Sequence, residues 1–393
     1  MIWKHDAGDS IPRAREAELK IALLLSDLRA GGVERVRLLL AREFLAMGHE
    51  VEFVLRVAEG SLRGEAPAGA GLHSLDCARF RDVLPRLVGY LRARPPDALM
   101  AAMWPMTGIA CAARRLSGAD FRLLVSEHTD FREAPSIKPW ERRLLRRFGR
   151  LVYGQADAVV AVSGGVAEGL AEVAGLDRSG LKVIHNPVRP LPRLELGPGQ
   201  RKELSWWLAA PHKLITIGSL KPPKAYHDLI DAVALLRRSA DARLLILGEG
   251  PLRAQLEDRI ARLGLGEAVR MPGFVPEPFP ILAAADLFVM SSVREGFPNV
   301  LTEALACGVP VVSTDCRSGP REILADGRYG RLVPMRDPQA LAAGIAASLE
   351  ENADRDALRR RGGEFTAAGA ARKYLAALAT GARGGGAGSR SGW

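Results

Sequence analysis

The chain has 393 residues, of which 48% are hydrophobic, 25% charged and 6% aromatic. That balance excludes a chain too polar to build a core, and at about 100–200 residues per domain the length suggests two domains. Lys and Arg number 55 against 45 Asp and Glu, a formal charge of +10, which suits nucleic acid, an anionic membrane or a phosphate-bearing substrate without choosing among them. The cysteines, Cys77, Cys111, Cys307 and Cys316, form no Cys-x-x-Cys pair, which argues against a zinc ribbon or a redox motif and fits a reducing cytosol. The first 20 residues lack the apolar stretch of a secretory signal. The near-apolar run at 98–113 is broken by Pro105 and is shorter than the ~20 residues that span a bilayer.

Residues 1–18 read as a disordered extension. Lys20-Ile-Ala-Leu-Leu-Leu25 is a continuous apolar run, as expected of a strand buried on both faces of a parallel sheet. After a loop at 26–32, Val33, Val36, Leu40 and Phe44 recur at helical spacing, and Gly48 supplies a stop. A strand at 51–57 completes the unit, which recurs with strands at 98–103, 122–126 and 158–163. At 139–153, Trp140, Leu144, Leu145, Phe148, Leu151 and Val152 alternate with Arg142, Arg143, Arg146, Arg147 and Arg150. A basic amphipathic helix there would either lie on anionic lipid, each cation near the surface contributing about 1 kcal/mol, or pack on the core with a solvated arginine face. The stretch 189–199 is rich in proline and glycine, so 189–212 reads as a linker or hinge between domains at 19–188 and 213–380. The alternation then restarts, with strands at 214–218, 243–247, 269–271, 286–290 and 309–313 and helices near 225–239, 251–263, 278–285 and 298–307. Further helices follow 337, and the glycine-rich 381–393 reads as a disordered tail. Two βαβ series joined by a hinge imply an α/β fold of two Rossmann-like domains facing across a cleft, with ligands beyond the carboxyl ends of the strands.

The segment from Arg294 through Glu295, Pro298 and Glu303 to Gly308 follows the expected strand at 286–290, so Glu295 falls on a carboxyl-end loop. Pro298 suits the first position of a helix, where its missing N–H would be unpaired in any case. The helix N-terminus offers free N–H groups and the positive end of a dipole, a site for a phosphate. Glu295 and Glu303 bracket that site, and carboxylates accept hydrogen bonds from sugar and ribose hydroxyls. Spacing alone fits equally a solvated helix glutamate at 303 and a helix-start carboxylate at 295. The glycine, proline and asparagine between them, at a strand's carboxyl end, tip the reading toward a binding site.

Gly31 and Gly32 either let backbone amides approach a ligand at a helix N-terminus or form only a tight turn. Gly248-Glu-Gly-Pro-Leu-Arg253 half-matches a dinucleotide fingerprint, but Arg253 stands in place of the third glycine and argues against a nicotinamide cofactor. Asp354-Arg-Asp356 reads as a helix cap rather than a metal site, so no metal and no other cofactor is expected. No aromatic-interleaved motif accompanies the charge, which removes nucleic acid.

Taken together these segments resemble the signature of retaining GT-B glycosyltransferases of family 4, group 1. The resemblance rests on Glu295 and Glu303 with Gly-Phe-Pro-Asn between them and Ala-Leu-Ala-Cys-Gly-Val-Pro-Val-Val after, on Leu247-Gly-Glu-Gly-Pro-Leu252, Met271-Pro-Gly-Phe274, Ala285-Asp286 and Gly319-Pro-Arg-Glu322, and on Gly31-Gly-Val-Glu-Arg35. It spans most of residues 20–350 and implies the GT-B fold. It further implies that Glu295 holds hydroxyls of the transferred sugar, that Glu303 holds the nucleotide ribose, and that backbone amides near Phe297, Asn299 and Val300 meet the diphosphate. Lys224, in Gly218-Ser-Leu-Lys-Pro-Pro-Lys224, matches a lysine aimed at the diphosphate, where a cation stabilises the leaving group's growing charge. The chain departs from the pattern at Ser219, where many members place an arginine, and Lys221 is the candidate substitute. His128 matches a histidine beside the donor sugar, although a lone loop histidine is more often structural.

The expectation is therefore a retaining glycosyltransferase that moves a hexosyl or N-acetylhexosaminyl group from a nucleotide-diphosphate sugar, uridine-linked, to a lipid-linked or cell-surface saccharide. It would act in the cytoplasm at the inner face of the membrane, with Trp140 and the arginines 142–150 facing lipid. Two rivals are a nucleotide-sugar epimerase of the same fold and a non-catalytic sugar-binding protein.

Overall fold

The computed structural model describes residues 18–29, 31–134, 137–191 and 194–380. The expected disordered ends, apart from Glu18, lie outside the described residues. The first sheet has seven parallel strands: β1 (Lys20–Leu25), β2 (Glu50–Leu55), β3 (Gly71–Ser74), β4 (Ala98–Ala102), β5 (Arg122–Glu127), β6 (Ala158–Ala161) and β7 (Lys182–Val183), in the spatial order β3-β2-β1-β4-β5-β6-β7. The second has six, also parallel: β8 (His212–Ile217), β9 (Ala242–Leu247), β10 (Val269–Gly273), β11 (Leu287–Met290), β12 (Val311–Thr314) and β13 (Arg331–Val333), ordered β10-β9-β8-β11-β12-β13. In both, the chain reverses direction across the sheet beside its first strand, between β1 and β4 and between β8 and β11. That is where a crevice opens beyond the carboxyl ends. Helices cover both faces, so Ile21 to Leu25 and Leu244 to Leu247 are buried and carry no polar alternation.

The central strands fall where the apolar runs place them. The edge strands β3, β7 and β13 are absent from the sequence reading because they are two to four residues long and half-exposed, so no continuous apolar run marks them. The helix Val83–Ala93 was also missed.

Two expected boundaries are corrected. The linker at 189–212 is not a free spacer: it contains helices at Pro198–Glu203 and Ser205–Leu208, and Trp207 is fully buried with Nε1 donating to the Leu214 carbonyl at 3.0 Å. Pro198 starts a helix there instead of breaking one, since proline's fixed φ suits the first turn. The helix Ala367–Thr380, expected in the second domain, packs on the first sheet instead. Its Ala370, Ala371, Tyr374, Ala377 and Leu378 share a core with Ile21, Leu23 and Phe44, and Arg122 Nη1 donates to the Leu378 carbonyl at 2.6 Å. The apolar stripe of this helix finds its uncovered partner surface beside β1 and β5.

One buried carboxylate ties the end of β5 to its surroundings. Glu127 accepts from the Trp104 amide at 3.1 Å, Thr107 Oγ1 at 2.6 Å and Tyr153 OH at 2.8 Å. Burial pushes its carboxyl up to about 7, against the pull of those hydrogen bonds. A carboxyl raised in the folded state stabilises most below its unfolded value and loses that contribution as pH rises through its folded value. Urea stability of the wild type should therefore fall between about pH 5 and pH 8 relative to Glu127→Gln, by up to about 3 kcal/mol. Parallel curves for the two proteins would remove Glu127 as the source.

Candidate active site

The loops that follow β8 and β11 meet at the reversal point of the second sheet. The Val293 amide donates to the Pro223 carbonyl at 2.8 Å, and Ser291 Oγ donates to the Lys224 carbonyl at 2.8 Å. This places Lys224 Nζ 2.7 Å from Glu295 Oε1, and Ser292 Oγ donates to the same oxygen at 2.6 Å. Burial works against the Lys224 ammonium, but the Glu295 carboxylate outweighs it and, with Tyr226 and Cys316, holds the lysine above its ordinary value. Lys224 is thus a buried-side cation rather than an exposed loop lysine, and Glu295 keeps Oε2 free of either partner.

The helix Asn299–Ala306 begins directly behind this pair. Pro298 precedes the helix as its cap, with φ −74° and ψ 93°, rather than forming its first residue as expected. Gly308 ends the segment at φ +73°, a conformation that favours glycine. Glu303 is buried, which excludes the solvated-helix reading. Burial raises its carboxyl pKa, opposed by Arg189, whose Nε bonds to Oε1 at 2.9 Å and whose guanidinium lies 4.4 Å from the Phe279 ring centre. Two carboxylates, Glu303 buried and Glu295 half-buried, are therefore each clamped by a cation through Oε1, with Oε2 not spent on that clamp, on either side of a helix N-terminus.

Phe297 does not direct its ring to the cleft. It is buried, stacked on His185 at 5.0 Å and edge-on to Phe365 at 5.7 Å, so only its backbone is available to a ligand. Asn299 Oδ1 accepts from Asn186 Nδ2 at 3.0 Å, and a Cβ on Gly32 would stand 3.6 Å from Asn299 Nδ2. The Gly31–Gly32 loop of the first sheet thus lies against the N-terminal end of the helix. A Cβ on Gly218 would stand 3.4 Å from Lys224 Cε, while Ser219 and Lys221 are exposed and Lys221 adds no second paired cation beside Lys224.

The first sheet closes over this edge. A Cβ on Gly296 would come 1.9 Å from the His128 carbonyl oxygen, so only glycine permits the approach. Ser163 Oγ donates to the Gly296 carbonyl at 2.8 Å, and Arg294 Nη1 to the Glu133 carbonyl at 2.6 Å. Glu322 reaches back to the N-terminus of the helix Gly164–Ala174, accepting from the Gly164 amide at 2.9 Å, with His185 Nε2 3.1 Å away. Burial would raise this carboxyl, but His185 and the glycine amides overcome it and hold it below its ordinary value. His128 is buried at the end of β5, and its Nε2 lies 3.1 Å from Ser126 Oγ.

The sequence reading missed Arg189, Ser292 and His185. Arg189 lies in the stretch read as a linker, and nothing local marks it; only the folded chain brings it to Glu303. Ser292 could have been found as the hydroxyl three residues before Glu295 on the same loop.

The basic helix Pro139–Tyr153 forms as expected. At 3.6 residues per turn, Trp140, Leu144, Phe148 and Leu151 share one stripe, and all four are exposed, Trp140 at 59% and Leu151 at 63%. Arg143, Arg146, Arg147 and Arg150 flank the stripe on one side and are exposed. Arg142 is corrected: it falls on the packed face with Leu145 and Gly149 and donates from Nη2 to the Ala134 carbonyl at 2.8 Å, so it is no part of the outward face. No helix among the described residues is long and apolar enough to cross a membrane.

Known proteins share this architecture. Residues 211–351 match the model for glycosyl transferases group 1, and residues 30–190 the model for glycosyltransferase family 4. The chain belongs to the group 1, family 4 glycosyltransferases. Its fold is GT-B. Anabaena HepE, solved with UDP and glucose, superposes with a TM-score of 0.76 at 22% identity over 92% of this chain and 100% of that one. The lipopolysaccharide outer core galactosyltransferase WaaB superposes at 0.71, with 21% identity over 92% and 99%. In sequence, a Campylobacter jejuni α-N-acetylgalactosaminyltransferase acting on a diphospho-undecaprenol-linked saccharide is 29% identical over 87% of this chain and 93% of its own. The Rhizobium meliloti lipopolysaccharide core glycosyltransferase LpsE is 36% identical over 42% of this chain and 49% of its own.

The Arg189–Glu303 clamp in this glycosyltransferase has a measurable energetic signature. Arg189→Met leaves a buried carboxylate without its cation and should cost about 3 kcal/mol in urea denaturation, while Arg189→Met/Glu303→Leu should recover most of that loss. Additive losses in the double variant would mean that the two side chains act independently.

Proposed function

We propose that this glycosyltransferase is a retaining enzyme that uses a UDP-linked hexose or N-acetylhexosamine and a lipid-linked saccharide acceptor. The observation that carries the reading is the pair of clamped carboxylates around the helix N-terminus. The unspent Oε2 of Glu295 accepts from hydroxyls of the transferred sugar, and that of Glu303 accepts from the ribose. The first amides of the helix, at Asn299 and Val300, bind the diphosphate, as amides at a helix N-terminus do for anions. The Gly31–Gly32 loop covers that diphosphate from the first sheet, and His128 lies beside the sugar. The UDP bound by HepE and the undecaprenol-linked substrate of the Campylobacter relative support the same reading.

In the transfer, the acceptor hydroxyl oxygen bonds to the anomeric carbon on the face from which the diphosphate departs. The bond from that carbon to the diphosphate oxygen breaks, and the electron pair and the acceptor's proton both go to the diphosphate. Lys224 meets the charge that grows on it, so no metal is required. Closure of the two sheets over the site excludes water and aligns the acceptor.

The exposed stripe of the Pro139–Tyr153 helix docks on an anionic bilayer, its apolar residues entering the headgroup boundary and its arginines meeting lipid phosphate. The enzyme is thereby held at the cytoplasmic membrane surface, where a lipid-linked acceptor resides.

A thermal-shift panel of nucleotide sugars should single out UDP sugars, since a ligand of the folded state raises apparent stability. Glu303→Ala should weaken the selected donor at least about tenfold, EDTA should leave the rate unchanged, and the product should keep the donor's anomeric configuration by NMR. An inverted product, or sugar interconversion without acceptor, overturns the reading. In liposome sedimentation, Arg143→Gln/Arg146→Gln/Arg147→Gln/Arg150→Gln should weaken binding to phosphatidylglycerol vesicles by about a hundredfold, and Arg142→Gln should not.

A further inference from the structure

Arg37 is the most completely buried cation among the described residues, fully enclosed on the helix Gly32–Ala46, and no carboxylate pairs with it. Its Nε and Nη1 have no hydrogen-bond partner among the described residues. The guanidinium lies over the ring of Tyr374, 5.2 Å from the centroid, so the C-terminal helix that returns to the first sheet is what seals it from water. An uncompensated buried cation is costly, and an apolar residue of similar volume would serve the core better. Beside its interaction with Tyr374, its hydrogen bond is therefore informative: Nη2 donates to Ser126 Oγ.

Guanidinium nitrogens donate only, so Ser126 Oγ is an acceptor in that bond and has one hydrogen left to give. Two acceptors are in reach, the Ala101 carbonyl at 3.4 Å and His128 Nε2 at 3.1 Å. The cation on Oγ sharpens the hydroxyl as a donor. It also repels the positive end of any N–H directed at it from Nε2, whereas a lone pair on Nε2 is attracted. The favoured arrangement is Arg37 to Ser126 to His128 Nε2. The imidazole hydrogen is then on Nδ1, a buried atom that has no partner among the described residues.

We propose that Arg37 is a positioning residue of the donor site. Acting through Ser126, it fixes His128 as the neutral Nδ1–H tautomer, making the imidazole a hydrogen-bond donor to a hydroxyl oxygen of the transferred sugar and withholding it from proton transfer. The role toward sugar rests on the donor placement proposed above; the tautomer does not.

The groups around His128 agree. Among the described residues Arg37 from the first helix is the charge that acts on it, and burial first and then that cation hold it well below its ordinary value. Tyr374 faces Arg37 from the C-terminal helix. Glu127, next in the chain, is spent on Trp104, Thr107 and Tyr153. Across the cleft, Glu295 beside Gly296 is paired with Lys224 through Oε1.

The test is a long-range proton–nitrogen NMR correlation on the full chain labelled with 15N-histidine, with His128 assigned by loss of its signals in His128→Gln. The wild type should show the Nδ1–H pattern, unchanged between about pH 5.5 and pH 8. Ser126→Ala should move His128 toward the Nε2–H tautomer and lower kcat/KM about tenfold, and Ser126→Thr, which restores a hydroxyl, should recover both. Arg37→Met should shift the tautomer in the same direction as Ser126→Ala; if it does not fold, the serine variants decide. An imidazolium or Nε2–H signature in the wild type, or no change of tautomer in Ser126→Ala, overturns the proposal. Adding UDP-glucose or UDP-N-acetylgalactosamine should move the Nδ1 resonance. If the tautomer is as expected but neither nucleotide sugar moves it, the donor placement fails, and with it the role toward sugar.

Discussion

The ion pair between Lys224 and Glu295 joins two loops that are 71 residues apart in the chain, and the shape of the cleft depends on it. Parallel strands deliver the ends of β8 and β11 side by side, but nothing in a βαβ unit fixes where their loops go. The Val293–Pro223 and Ser291–Lys224 hydrogen bonds lock the loops together, and the charge pair then sets the edge against which the helix Asn299–Ala306 starts. A carboxylate half withdrawn from water is favoured by a cation at hydrogen-bond distance. Because Lys224 and Ser292 both bond to one oxygen, the acid is neutralised and oriented while its other oxygen is left over. Arg189 does the same for Glu303.

Assembly of the two sheets has a comparable economy. Gly296 allows the loop after β11 to rest on the backbone of His128, and Glu322 fills the N-terminus of the Gly164–Ala174 helix from the opposite unit. The carboxylate satisfies amides that the helix cannot pair internally and favours the positive end of its dipole. The C-terminal helix completes the first core and, through Tyr374, encloses Arg37. A segment that leaves one unit and packs on the other thus encloses a cation that bonds to Ser126 near the end of β5.

The opening charge of +10 resolves into separate uses. Lys224, Arg189 and Arg37 are turned inward, each against a specific carboxylate, ring or hydroxyl. Arg143, Arg146, Arg147 and Arg150 form an exposed strip beside an apolar one, on a helix whose other face is packed.

The sequence by itself determined the two series of buried strands, the helix ends at Gly48 and Gly308, the cap at Asp354 and the placement of Glu295 and Glu303 at a strand's carboxyl end. These follow from local rules: apolar runs, glycine at positive φ, and side-chain capping, as where Asp354 accepts from the Asp356 and Ala357 amides. Only the tertiary structure decided that Arg189 clamps Glu303, that the stretch read as a linker is packed around Trp207, that the last helix belongs to the first sheet, and that Arg142 faces inward while its neighbours do not. In each of these the partner lies far along the chain or across a helix face. Long-range pairing is chosen by which surfaces remain uncovered once the sheets have formed, and no window of local sequence contains that information.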